Sequence, residues 1–159
     1  MMSSVTSEAI VLIAVIVGAV ALSQSFLVSV SVLQDNAAAS STAMGEKIST
    51  DVKVIYATIV NTTEARVWVK NIGTSTLFDP HIIDSDLFFG LNGDFKWYGY
   101  SETGVGWNYT ELGYGHGWIP GETIEISIST AEPIATGEFY VRYVTYNGVK
   151  SEYFFTIGE

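Results

Sequence analysis

The sequence predicts a mainly β protein in which a single membrane-type α-helix at the N-terminus precedes an antiparallel β-sandwich of immunoglobulin-like architecture. Three observations carry this prediction. Residues 9–33 run almost without charge, and from Asp51 onward short β-branched and aromatic runs are separated by Gly, Asn, Asp and Pro. No amphipathic helical pattern interrupts those runs, and strands without helices between them pack as two sheets face to face. The expected division is a helix over 1–33, a stalk or linker over 34–50, and an extracytoplasmic sandwich over 51–159.

The first element reads AIVLIAVIVGAVAL, SQS, FLVSVSVL. As a helix it is roughly 38 Å long at about 1.5 Å per residue, enough to cross the roughly 30 Å of bilayer hydrocarbon with tilt. A cleavable signal peptide needs a basic segment ahead of its apolar core, whereas the first basic residue here is Lys47. A helix on the surface of a soluble core carries one apolar stripe, whereas Val, Ile, Leu and Ala occupy every face here. The run therefore reads as a membrane or filament-core helix. The connector QDNAAASSTAMGEKIST either continues the helix as a stalk or frays into a linker, with Gly45 a suitable helix end.

Eight strands are expected, over 52–60, 65–71, 82–89, 95–100, 107–112, 123–129, 138–146 and 149–157. In TIEISIS, Ile124, Ile126 and Ile128 alternate with Glu125 and Ser127, and Ala65, Val67 and Val69 likewise oppose Arg66, Trp68 and Lys70. Residues i and i+2 share a strand face, so each sheet has a wet and a dry side. Asn147-Gly148 between two strand runs predicts a two-residue type I′ hairpin, and Asn92-Gly93 another hairpin turn.

Composition narrows the function. Seven basic against seventeen acidic residues give a net charge of −10, which repels phosphate backbones and anionic headgroups, so nucleic acid is excluded as a partner. With no cysteine there is no disulfide, iron–sulfur cluster or thiolate zinc site, and the domain must be held by its core. All four Trp, all nine Tyr and seven of the eight Phe follow the helix and supply that core.

Catalytic chemistry finds little footing. Only His81 and His116 offer an imidazole base, and each reads as an exposed loop residue. Asp79, Asp84, Asp86 and Asp94 match no calcium-loop spacing and read as a solvated acidic rim. No catalytic residue, cofactor or metal is assigned. The run Trp97, Tyr98, Tyr100, Trp107, Tyr109, Tyr114 and Trp118 either caps the sandwich core or forms an aromatic platform, with Trp97, Tyr100, Trp107 and Trp118 as partner-contact candidates. Asn61-Thr62-Thr63 and Asn108-Tyr109-Thr110 are glycosylation sequons.

SEAIVLIAVIV, with Glu8 directly before the apolar run, resembles the N-terminal segment of archaeal flagellins and type IV pilin-like proteins. In that family a Glu stands near the start of an apolar helix and such helices pack into a filament core; Glu8 is then a helix-assembly residue, and its charge also suits a helix N-terminus. Flagellin precursors carry a short basic leader ending in Gly, whereas MMSSVTS precedes Glu8 here, so the helix reads as a retained anchor. VWVKNIGTSTL, DSDLFFG, WIPGETIEISI and YVRYVTYNGVKSEYFF are similar to the accessory archaellum proteins F and G, their order and spacing favouring G.

The resemblance implies a structural motility component: a membrane-anchored stator or periplasmic scaffold between cytoplasmic membrane and surface layer. It would self-associate or bind a paralogous stator protein, contact a surface-layer protein and lipid, and resist archaellum torque. Strand edges are the expected means of association. The alternative is an archaellin or pilin-like subunit whose helices pack in the filament core. A third reading, a carbohydrate-binding or hydrolytic surface module, rests on the aromatic loop and scattered carboxylates.

Overall fold

The first helix, α1, covers Met2–Ser49 as one uninterrupted element, about 72 Å long at 1.5 Å per residue. The computed structural model describes residues 2–112 and 117–157, with residues 2–4 described by their backbone. Gly45 does not end the helix as the sequence suggests: the helix runs on to Ser49, and a Cβ at 45 would meet nothing within 4 Å. Ser23 and Ser29 do not interrupt it either, because each hydroxyl donates to its own backbone four residues earlier, to Ala19 O at 2.8 Å and Ser25 O at 2.9 Å. Such back-bonding hides polar hydrogens from an apolar solvent. The chain divides into two compact units, residues 1–43 and 44–159, so the last turn of α1 belongs with the sandwich.

Eight strands follow: β1 Val52–Asn61, β2 Glu64–Asn71, β3 Asp86–Leu91, β4 Asp94–Tyr98, β5 Gly106–Glu111, β6 Thr123–Ser129, β7 Gly137–Val144 and β8 Lys150–Ile157, with a short helix α2, Asp79–Ile83, before β3. The sheets run β1-β2-β6-β5 and β4-β3-β7-β8, with every strand pair antiparallel. These are the A-B-E-D and C-F-G orders of an immunoglobulin domain with one strand added beside C. Ala65, Val67 and Val69 pair with Ile128, Ile126 and Ile124, and all six are buried, so the alternation in the sequence is the inner face of the first sheet. Leu87, Phe89, Phe139, Val141 and Tyr143 supply the opposing face.

Three local expectations are revised. Ile82 and Ile83 are helical rather than the start of a strand: Pro80 occupies the first turn, Asp79 stands beside it, and proline's fixed φ suits that position. The turn delivers Ile82 into the core at 0% exposure. Strand β4 stops at Tyr98, and Tyr100 makes only an isolated parallel bridge to Trp107. The β7–β8 hairpin is not type I′, since among the described residues none other than glycine has positive φ. Gly148 N donates to Thr145 O and Thr145 N to Val149 O, both at 2.8 Å, with Gly148 at φ 81°. That is a type I turn closed by a left-handed glycine, a three-residue loop with a bulge.

Candidate functional site: the apolar helix and the aromatic sheet face

Over residues 9–33, helix α1 exposes large apolar side chains on every side, from Val20 at 51% to Leu22 at 74% exposure among the exposed ones. The element is long and apolar enough to cross a membrane, with a mean hydropathy of 2.5 over its candidate window. Glu8 is exposed and lies beyond the first turn, because the helix begins at Met2. The dipole's pull on a carboxylate falls off within that turn, so the benefit expected from a helix start at Glu8 does not apply.

The four candidate contact aromatics separate. Trp107 and Trp118 are 0% and 1% exposed, each edge-on to Tyr143 with ring centroids 6.1 and 6.2 Å apart; they are core residues and unavailable to a partner. Trp118 also donates its indole N–H to Glu122 O at 2.9 Å. Tyr100, half-buried, stands edge-on to Trp107 at 5.3 Å. Only Trp97 is well exposed, at 59%, its indole N–H held by Asp86 Oδ1 at 2.8 Å.

Trp97 belongs to a patch that the sequence reading misses. On the outer face of the second sheet, Phe95 packs 4.8 Å from Tyr140, which packs 4.9 Å from Phe154. Register puts Gly90 opposite both Phe95 and Tyr140, and a Cβ there would meet the Phe95 backbone at 2.7 Å; the missing side chain lets Phe95 lean over the strand. Arg142 lies over the Tyr140 ring at 5.4 Å and pairs with Glu152 at 2.8 Å. The Tyr140 hydroxyl beside Glu152, with Arg142 and Lys150, holds that carboxyl below its usual range. The signal was present in GEFYVRYV, where apolar residues fall on both faces of one strand.

Beside the outer edge of β4 lies a groove of about 460 Å³ lined by Phe89, Tyr98, Pro133, Ile134 and Phe139. An exposed Lys96–Glu132 pair at 2.8 Å bridges its lips.

The acidic side chains stay apart. Asp79 accepts from the Tyr109 hydroxyl at 2.7 Å; burial first, and that bond second, push the phenol's pKa up. Asp86 and Asp94 lie at opposite ends of the β3–β4 hairpin. Among the described residues no three His, Asp or Glu gather where a metal would sit. His81 is not an exposed loop residue: it lies in α2, partly buried, with its ring stacked 4.3 Å from Tyr146. Tyr114 and His116 lie outside the described residues. Asn61 is exposed at the β1–β2 turn, where its side chain accepts from Thr63 N at 2.9 Å. Asn108 lies within β5 rather than at a turn, opposite Ser127 on the outer face of the first sheet.

A sequence model of archaeal-type flagellins matches residues 3–155. The chain belongs to the archaeal-type flagellin family. An uncharacterised protein of Archaeoglobus fulgidus is 28% identical over 161 residues, spanning 98% of this flagellin-family chain and 99% of its own. Among solved structures, the archaellum periplasmic stator protein FlaG from Sulfolobus acidocaldarius superposes with a TM-score of 0.58 at 26% identity, over 67% of this chain and 99% of that one. The FlaF–FlaG stator complex from the same organism matches with a TM-score of 0.56 at 25% identity, over 65% of this chain and 87% of that one. The resemblance to flagellins holds in sequence, and that to the accessory archaellum proteins in fold.

Proposed function

We propose that this chain is a structural component of an archaellum-type machine: a membrane-anchored, stator-type scaffold whose helix holds the sandwich outside the cytoplasmic membrane. The observation that carries the reading is the pairing of one all-round apolar helix with a sandwich alignable to nearly the whole of the FlaG stator chain. The FlaF–FlaG complex supports a paralogous sandwich protein, or a second copy, as partner. The exposed aromatic patch around Phe95, Trp97 and Phe154 and the free β4 edge are the surfaces offered to it, since aromatic residues dominate binding energies at protein interfaces. Contact with a surface-layer protein and with lipid, and resistance to torque, follow from this placement.

Purification of the full chain from its native membranes tests the reading. Co-purification of a second sandwich protein, or self-association lost in Trp97→Ala/Phe154→Ala, is expected. A strictly monomeric chain with no envelope partner sinks it.

The filament-subunit reading is favoured by one observation, the match of the flagellin model across 3–155. Sequencing the mature N-terminus separates the two: a chain beginning close to Glu8 points to a processed subunit, and one retaining the preceding residues to an anchor.

A further inference from the structure

We propose that residues 44–50 form a clamped joint within the sandwich unit: the last turn of α1 is locked into the sandwich by the loop over 71–75 and by the β7–β8 turn. The sequence offered a stalk or a fraying linker at this place. The geometry points to a built clamp, and it holds whether the helix anchors the chain or lies in a filament core.

The carbonyls of a helix's last turn have no partner within the helix and are ordinarily satisfied by water or by a cap. Here the last of them, at Ser49, is taken up by a distant part of the chain, and Glu46 O gains a long-range donor beside its local ones. Ser49 O accepts the backbone N–H groups of Thr74 at 2.8 Å and Ser75 at 3.2 Å, and Ser75 Oγ bonds Ser49 Oγ at 2.7 Å. Asp51 O, the next step out of the helix, accepts from Ile72 N and Gly73 N, both at 2.9 Å. From the other side Asn147 Nδ2 donates to Thr50 Oγ1 at 2.9 Å and to Glu46 O at 3.4 Å, while Thr50 Oγ1 donates to Glu46 O at 2.8 Å. Thr50 is 4% exposed. A flexible linker would leave these groups to water.

The loop doing the clamping is itself held from behind. Asn71, 1% exposed, donates from Nδ2 to Ser75 O and Trp118 O, each at 2.9 Å, and accepts from Gly73 N at 3.0 Å. Gly73 is required for closeness rather than for an unusual φ: a Cβ there would stand 2.5 Å from Asp51 N and 2.6 Å from Ser49 O. Both are backbone atoms of the clamped turn, so any side chain at 73 prises the loop off the helix end. The last turn of α1 is thus tied to both sheets, through hydrogen bonds to β2's exit and to the β7–β8 turn.

Hydrogen exchange on the full chain in detergent micelles tests the joint, read at the amides of Thr50, Thr74 and Ser75 against Ile126 in the core. In the wild type these amides exchange far more slowly than an unstructured peptide. Gly73→Ala and, separately, Asn147→Ala speed them by about tenfold or more while Ile126 stays protected, since local opening is distinct from global unfolding. Asn147→Ala keeps the test open should Gly73→Ala fail to fold. Exchange at peptide rates in the wild type overturns the clamp. Protection unchanged in a folded variant overturns its assignment to these contacts. Neither readout depends on any partner, so the joint and the scaffold role fail independently.

Discussion

Trp107, Trp118 and Trp97 carry the same side chain to opposite ends. The first two are enclosed by the core while Trp97 is more than half exposed. Truncating a buried Trp removes transfer energy and leaves a cavity, so Trp107→Ala and Trp118→Ala should each cost about 3–5 kcal/mol in denaturant unfolding. Trp118→Ala additionally removes one of the two hydrogen bonds that the Glu122 carbonyl accepts, leaving it the one from Asn71 N. Trp97→Ala should leave the midpoint nearly unchanged and register in association instead. A second residue-scale expectation concerns Glu152. Its carboxyl is held below the usual range by the Tyr140 hydroxyl, Arg142 and Lys150; a depressed folded-state pKa stabilises above the unfolded value and is lost as pH falls through the folded one. Melting curves from pH 6 down to pH 3 should therefore fall more steeply for the wild type than for Glu152→Gln. Because the pair is solvated, the difference should be small and salt-sensitive.

Hairpin β7–β8 shows where local reading stops at the scale of an element. Asn147-Gly148 does mark a hairpin, yet the turn is built around a left-handed Gly148 alone. Tyr146 is engaged by stacking on His81, and the Asn147 side chain reaches Thr145 Oγ1 at 2.8 Å as well as the end of α1. Gly148→Ala should cost about 1 kcal/mol in chemical denaturation through strain at positive φ, because the added carbon would meet only Lys47 Nζ, at 3.9 Å. The same limit explains α2: the isoleucines of DPHIID look like strand residues until Pro80 and the buried site for Ile82 select a helical turn. Strands β2 and β6, by contrast, were legible throughout, since strict alternation shows one dry face wherever the partner strand lies.

For the whole molecule, a helix uncharged over residues 9–33 and an acidic, cysteine-free sandwich predict how the protein partitions. Alkaline carbonate extraction, which strips proteins held by charge alone, should leave the full chain in the membrane pellet. Appearance in the supernatant would contradict the anchor. The apolar run of α1, the strand texture of the sandwich and the kinship with archaellum proteins could all be read from the chain. The first two depend on composition or on a short period and the kinship on the likeness of short motifs, and none needs a distant partner to be recognised. Which tryptophans lie inside, where the helix ends and which aromatic residues share an outer face depend on pairings such as Asn147 with Thr50, 97 residues apart, and Asn71 with Trp118, 47 apart. The sequence by itself thus determined an apolar helix and a core-held β-sandwich, because hydrophobic period and the lack of cysteine are local properties. Only the tertiary structure decided the clamped helix end, the buried Trp107 and Trp118 and the aromatic face, because hydrogen-bond partners and burial are set by residues that the chain order keeps apart.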